Sequence, residues 1–424
     1  MKKSAFIHSL FLLFVVSTFS LLVPGSCQGL QSDANQWAQW RGPSRDGVFT
    51  GETLPEKLDD TTMKQVWRNE MGPSYSGPIV TDAHVFVTET KDEKYEVVTA
   101  LERASGKVVW QTQWEGAMSV PFFAKANGSW IRATPVYDDG KLYVGGIRDV
   151  VVCLNAEDGS EIWKLDFPGE TGSSNPDFGF SSSPMIKDDA LFVQAGGAFY
   201  KLNKDDGSVI WKILGDGGGM MGSAFASPTV ATIHGVEQLL VQTRSHLNGV
   251  DAETGTVLWS QAVPNFRGMN ILTPIVFDNQ VFTSTYRNES YLFAPQKTDT
   301  GWSVTTTWQV KKPAYMSTPV AKDGYLYMHL QNQRFTCLDL KNGETKWTSG
   351  TFGKYSSIVV QDDKVLALDQ RGELLLFRAT PDEFQLLSQH RVSDQETWAH
   401  LAAVDNQFFI RELNAITAYE FSSK

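Results

Sequence analysis

One hairpin is written into this chain again and again, and that repeat limits the possible folds more than any other feature. Residues 153–163 read CLNAEDGSEIW, 201–211 read KLNKDDGSVIW, 249–259 read GVDAETGTVLW and 337–347 read CLDLKNGETKW. In each copy an apolar, strand-like run leads into Asp-Gly, Asn-Gly or Thr-Gly, a turn that tolerates positive φ. A second strand follows with Trp four residues after the Gly. The pairs are Gly106/Trp110, Gly159/Trp163, Gly207/Trp211, Gly255/Trp259 and Gly343/Trp347. A Trp held at a fixed offset can cover a neighbouring repeat with a large apolar area.

A second pair of strands precedes each hairpin. ATPVYDDGKLYV (133–144) matches SSPMIKDDALFV (182–193), LTPIVFDNQVFT (272–283) and STPVAKDGYLYM (317–328). The unit is therefore four strands, A to D, with A after the Pro and D carrying Trp. A four-stranded unit of roughly 45 residues reads as a β-propeller blade. Blades start near Pro78, Pro135, Pro184, Pro228, Pro274, Pro319, Ile358 and Leu401. The seventh carries Leu387 in place of Trp, and the eighth stops after strand C. QVWR (65–68) copies EIWK (161–164) yet precedes any A strand, so it is available as the missing D strand. The expected fold is all-β: an eight-bladed propeller over 63–424, closed by an N-terminal strand so that no seam stays open.

Ahead of it, 1–27 read as a secretory signal and 28–62 as a lead-in packed on one face. Lys2 and Lys3 precede an apolar run from Phe11 to Val23, too short and wrongly flanked for a membrane span. The protein is expected to be exported, and no later run is long enough to cross a bilayer. Ser26 suits lipid attachment at Cys27, but Pro24 does not, so cleavage to a soluble monomer is expected, with a lipid anchor at Cys27 as the alternative. Cys153 and Cys337 occupy the same position of two separate blades and are expected as buried free thiols. With the two leader lysines gone, the net charge of −11 becomes −13, which disfavours nucleic acid as a partner.

The Gly–Trp repeat over 65–424 resembles the PQQ-type propeller repeat. That repeat occurs in quinoprotein dehydrogenases and in the outer-membrane assembly lipoprotein BamB. The lead-in WAQWRGPSRDG followed by such blades is similar to the exported BamB-like proteins. The resemblance is specific for the fold and weak for function. It implies PQQ as a cofactor only for the dehydrogenase branch. No Cys-Cys pair stands here, and no calcium or base motif can be carried over.

In such a propeller the D–A and B–C connections share the face at the channel mouth, where ligands are expected. One B–C position holds Arg148, Arg244, Arg287 and Arg371, with Asn332 in a further blade. These side chains suit a carboxylate-rich ligand or acidic partner. The competing reading is that they tie loops together through Asp149, Glu289, Asp369 or Glu412. The D–A connections add Trp130, Arg132, Tyr315, Tyr355, Trp398 and His400. The residue before each A strand is small in every blade except the eighth, where it is His400. Trp37 and Trp40 are expected to be packing groups.

The histidines lack metal spacing, GDGGGMMG (215–222) lacks a phosphate-loop Lys, and NGS (127–129) and NES (288–290) are chance-level glycosylation triplets. The expectation is a non-enzymatic propeller that binds an envelope protein or exported polypeptide. The alternatives are a PQQ-dependent oxidoreductase and a propeller that binds a small ligand or glycan.

Overall fold

The computed structural model describes residue 1 and residues 36–423, apart from 123, 125–127, 217–221 and 223. The leader with Cys27, Asn127 of the first triplet and most of 215–222 lie outside the described residues. The chain divides into two units, Met1–Asp33 and Ala34–Lys424, and the propeller lies within the second. No helix among the described residues is long and apolar enough to cross a membrane.

Among the described residues, thirty-two strands form eight four-stranded antiparallel sheets. In blade 1 the strands are Ile79–Val80, His84–Lys91, Tyr95–Glu102 and Val108–Glu115, A to D from the axis outward. Blades 2 to 7 repeat that order over 136–166, 185–213, 229–262, 275–310, 320–351 and 356–391. Blade 8 takes A to C from 402–421 and its D strand from Met63–Glu70, which pairs antiparallel with Ala415–Phe421.

The borrowed strand has the fine structure of the others. In blades 1 to 4, strands C and D slip by one residue just before the Trp, a β-bulge. Met63–Glu70 has the same slip between Gln65 and Trp67. The bulged residue points outward, which is why Val66, Val109, Ile162 and Ile210 are exposed apolar side chains.

The four-residue offset between Gly and Trp acts between blades. Trp67 of blade 8 lies over Gly106 of blade 1, Trp110 over Gly159, Trp163 over Gly207, Trp211 over Gly255 and Trp308 over Gly343. A Cβ at those glycines would stand 2.4 to 3.0 Å from the indole, and their φ values are 70° to 73°. Both requirements, positive φ and a flat bare surface, select Gly. Each indole N–H then donates to a carbonyl of the next blade: Trp67 to Arg103, Trp110 to Ala156, Trp163 to Lys204, Trp211 to Glu253, Trp308 to Leu340 and Trp347 to Thr380, at 2.7 to 3.2 Å.

Blade 5 departs from the rule. Its C and D strands, Ser290–Thr298 and Gly301–Val310, carry their turn farther out, so Trp259 meets no turn glycine. Its N–H donates to Gln238 Oε1 of its own blade at 2.6 Å, and Trp302 and Val304 of the long hairpin pack against its cluster. In blade 7 the register corrects the sequence reading: Ser388, not Leu387, stands at the Trp position, opposite Leu376, and its Oγ accepts from Leu58 N–H at 2.9 Å and donates to the Leu58 carbonyl at 3.0 Å. Leu387 is the bulged residue and packs, half-buried, on the large cluster joining blades 7, 8 and 1. Cys153 and Cys337 are buried and free, as expected.

Removing residues 1–70 should leave blade 8 with an open strand edge and drive aggregation, whereas removing 1–35 should leave the melting temperature unchanged. Size-exclusion chromatography and thermal melts of the two truncations check this. Trp163→Ala should lower stability by about 3–5 kcal/mol. Gly159→Ala, which forces a Cβ to 2.4 Å from Trp110 at positive φ, should also be destabilising. Denaturant unfolding of both variants is the measurement, and a stable Trp163→Ala would contradict the inter-blade role.

Candidate functional site

The A strands open onto the axis, and the residue before each one lies on a ring of hydrogen bonds. Backbone N–H groups donate from Gly77 to Thr134 Oγ1 (3.0 Å), Thr134 to Ser183 Oγ (3.1 Å), Ser183 to Ser227 Oγ (2.9 Å), Ser227 to Thr273 Oγ1 (3.1 Å) and Thr273 to Thr318 Oγ1 (3.4 Å). Leu401 N–H likewise donates to Ser357 Oγ at 3.3 Å. Small hydroxyl residues recur there because each satisfies a buried amide of a neighbouring blade, the preceding one for Thr134, Ser183, Ser227, Thr273 and Thr318 and the following one for Ser357. At the junction of blades 8 and 1 the pattern changes to His400 and Gly77. A Cβ at Gly77 would stand 2.8 Å from the His400 carbonyl oxygen.

Above this ring is a cavity of about 220 Å³ to which all eight D–A connections contribute. Tyr355 stacks on Trp398 at 5.3 Å, and Tyr75 leans on the same indole at 5.9 Å. Phe178 and Phe225, in edge contact at 5.6 Å, belong to the same lining, with Met269, Ile271 and Met316. Among the described residues, Arg132 is the one charged side chain of the lining, which includes no carboxylate. Its Nε donates to the Trp130 carbonyl (3.2 Å) and its Nη2 to the Gly128 carbonyl (3.0 Å). Burial pushes its pKa down to about 10, and the nearby Tyr75 only partly offsets that.

The inner end of the cavity is closed by the lead-in. Trp37 pairs with Val80 in a backbone bridge, and Trp40 joins the lining. Arg41 and Arg45 lie beneath Trp40, their guanidinium carbons 5.5 and 5.8 Å from its ring. Both are buried. Arg41 donates to the carbonyls of Thr318, Pro319 and Asp46 at 2.6 to 2.7 Å. Arg45 donates to those of Pro228, Pro184 and Ser183 at 2.8 to 3.1 Å. Desolvation brings their pKa values down to about 10 and about 9. His400 packs against Trp37 and Trp40, and its Nδ1 lies 2.8 Å from the Leu401 carbonyl oxygen. Burial, with Arg41 adding repulsion, pushes its pKa down to about 3, so the ring is neutral.

Of the residues singled out from sequence, Arg132, Tyr355, Trp398 and His400 meet in this cavity. Trp130 stands behind Arg132 and holds it through its carbonyl. Arg148, Arg244, Arg287, Arg371, Asn332 and Tyr315 do not line it. A B–C turn joins the second and third strands of a blade, so it sits about 5–10 Å farther from the axis than strand A.

Equivalent sequence positions also hold unlike environments. Arg244 is buried, donates to the carbonyls of Gly268 (2.6 Å), Gly222 (3.2 Å) and Arg267 (3.4 Å), and lies 4.4 Å from the centre of the Phe225 ring. Arg371 pairs with buried Asp369 at 3.0 Å. Arg148 is half-buried, and Asn332 is exposed. Arg287 is exposed and rests on Phe266 and Tyr286, with Tyr315 next to Tyr286. Glu412 pairs with Arg68 of the closing strand rather than with any of these arginines, and Glu289 accepts from Tyr291.

Sequence reading assigned Trp40 to packing and passed over Arg41, Arg45, Phe178, Met269, Ile271 and Met316. The lead-in occurs once, so no repeat marks its residues. The apolar lining lies in connections of unequal length that do not align between blades. The hydroxyl ring was visible as a rule of small residues, and its chemistry emerges only with the inter-blade bonds.

The sequence profile described as "Outer membrane protein assembly factor BamB" matches residues 50–126 and 94–349. A protein of that description from Yersinia pestis is 22% identical over 344 residues, covering 79% of this chain and 73% of its own. The crystal structure of BamB from Moraxella catarrhalis superposes with a TM-score of 0.62 at 14% identity, covering 85% of this chain and 98% of that one. A quinohemoprotein alcohol dehydrogenase from Comamonas testosteroni gives 0.54 at 11% identity, covering 92% and 81%. At these identities the structural likenesses speak for the fold alone.

The buried histidines set a pH dependence. His400 and His329 have folded pKa values of about 3 and about 4 against an ordinary 6.5. Below pH 6.5 the unfolded chain takes up protons that these rings refuse, so each contributes a loss of stability as pH falls towards its folded pKa. At pH 5 that loss is about 2 kcal/mol for each ring. His400→Phe should therefore lose less melting temperature than the parent between pH 7 and pH 5. Parallel slopes in thermal melts would show that His400 does not titrate on unfolding.

Proposed function

From the premise that this chain belongs to the outer membrane protein assembly factor BamB family, we propose that it is an exported propeller that binds another protein in the cell envelope and performs no chemistry of its own. The observation that carries this reading is a patch on the loop face of blades 4 and 5. Arg267 and Arg287 are both exposed there, and each rests on the exposed ring of Phe266, at 5.1 and 5.5 Å. Arg287 also lies 5.2 Å from the Tyr286 ring, and Tyr286 touches Tyr315 at 5.8 Å.

Neither arginine takes part in a salt bridge among the described residues, on a chain of net charge −11. Arginine and aromatic side chains are the groups that dominate protein interfaces. Unpaired guanidiniums add selection for an acidic segment. The names of the relatives, assembly factors of outer membrane proteins, support an envelope partner.

The dehydrogenase reading gains nothing from the axial cavity. Pyrroloquinoline quinone carries three carboxylates and is held with a calcium ion. A lining with one arginine and no carboxylate does not fit that group.

Replacing Arg267 and Arg287 together by Gln should leave the melting temperature nearly unchanged, within about 0.5 kcal/mol of stability. It should weaken partner capture by about 2–5 kcal/mol. Affinity recovery from cells, with mass spectrometry at two salt concentrations, is the measurement. Arg244→Gln serves as the contrast. It removes a guanidinium that joins three loop carbonyls, so it should lower the melting temperature. Undiminished recovery by the double variant would overturn the proposal.

A further inference from the structure

The cavity on the axis is separate from the arginine–aromatic patch, and its chemistry is of another kind. We propose that it is a binding site for a small aromatic carboxylate, a single ring bearing one negative charge. The inference stands whether or not the outer patch binds a protein.

Charge is the first argument. Arg132, Arg41 and Arg45 gather around one small space, and their bonds run to carbonyl oxygens. Arg132 lines the space itself, and two of its N–H donors, on Nη1, meet no acceptor among the described residues. Among the described residues the lining supplies no carboxylate to answer it. A half-buried guanidinium with a free Nη1 and no counter-charge in the lining favours an anion that enters with its own. The net charge of the chain is negative, so this local field arises from the arrangement of three side chains and not from composition.

The hydroxyl ring is the second argument. Thr134, Ser183, Ser227 and Thr318 each accept a backbone N–H, as described above. A hydroxyl has one hydrogen to donate, and none of these four donates it to a protein group among the described residues. All four line the cavity. With their acceptor side engaged by the fold, they offer O–H donors to whatever enters. A carboxylate accepts from several donors at once.

The third argument is shape. Tyr75, Trp398 and Tyr355 present flat rings, as do Phe178 and Phe225, and Trp40 closes the inner end. A volume of about 220 Å³ falls below the roughly 300 Å³ at which sites for drug-sized ligands begin. One ring with a short substituent matches that space. An inorganic anion would leave the aromatic surfaces unused.

The test uses 4-fluorobenzoate as probe and purified full-length protein, with 19F NMR as readout. The probe signal should broaden saturably and recover on addition of excess benzoate. Neutral 4-fluorobenzyl alcohol should bind at least about tenfold more weakly, because it lacks the charge that Arg132 answers. Arg132→Gln should weaken binding by a similar factor, and Arg132→Lys should restore much of it. Met316→Trp, which fills the cavity from its wall, should abolish binding while capture of a protein partner through Arg267 and Arg287 persists. Absence of saturable broadening would overturn the proposal. So would equal binding of the alcohol, or binding indifferent to both Arg132→Gln and Met316→Trp in folded protein.

Discussion

The indole of one blade resting on the turn glycine of the next is the contact on which this architecture depends. It joins two requirements in one motif. The Gly must be bare to receive the ring and must hold positive φ to turn the chain, and the Trp four residues on must reach the following blade. Blades 1, 2 and 3 thus carry both halves of a joint, one for each neighbour, and blades 4, 5, 6 and 8 carry one half each. A chain built this way cannot stop after seven and a half blades without leaving one indole or one glycine unmatched. Trp67, on the strand borrowed from the N-terminal side, completes the joint with Gly106 and closes the ring.

This explains how much of the fold was legible. A contact that admits only Gly and Trp leaves both letters in the sequence at a fixed distance, so blade number, strand order and closure could be read from spacing. The misreadings begin where the contact is replaced. Trp259 looks like its counterparts in sequence, yet its N–H turns to Gln238 because the blade 5 hairpin extends past it. Nothing within the Gly255/Trp259 motif encodes the length of the hairpin that follows.

The site was legible only in part, for a related reason. Position in a repeat fixes where the backbone goes, not what surrounds a side chain. Arg244, Arg287 and Arg371 share one repeat position. Arg244 is enclosed by Phe178 and Phe225, from long connections, and by three carbonyls. Arg287 rests on the surface, and Arg371 is claimed by Asp369 two residues away. Loops of unequal length decide among these outcomes. Arg132, Tyr355, Trp398 and His400 were recognisable because they lie within a few residues of an A strand, where geometry is repeated most faithfully. The floor came from residues met once, in WAQWRGPSRDG, and no internal comparison could expose them.

The hydroxyl ring ties the architecture to the cavity. A small apolar residue in place of these hydroxyls would fit the space at the axis, but it would leave a buried amide of the neighbouring blade without an acceptor, a loss of about 1–3 kcal/mol at each such junction. Ser and Thr satisfy that amide with a lone pair, and Thr134, Ser183, Ser227 and Thr318 keep a hydrogen in reserve, while Thr273 donates its own to the Ser227 carbonyl. The group that joins neighbouring blades is therefore also the group that makes the channel wall a set of donors. The lead-in arginines bond to the carbonyls just beyond the same ring, at Ser183, Pro184, Pro228, Thr318 and Pro319. Closure of the propeller, closure of its channel floor and polarity of the cavity wall thus converge on one ring of residues. A substitution there is expected to register in stability and in ligand binding together, whereas Arg267 and Arg287 take no part in that ring, and their replacement leaves its bonds intact.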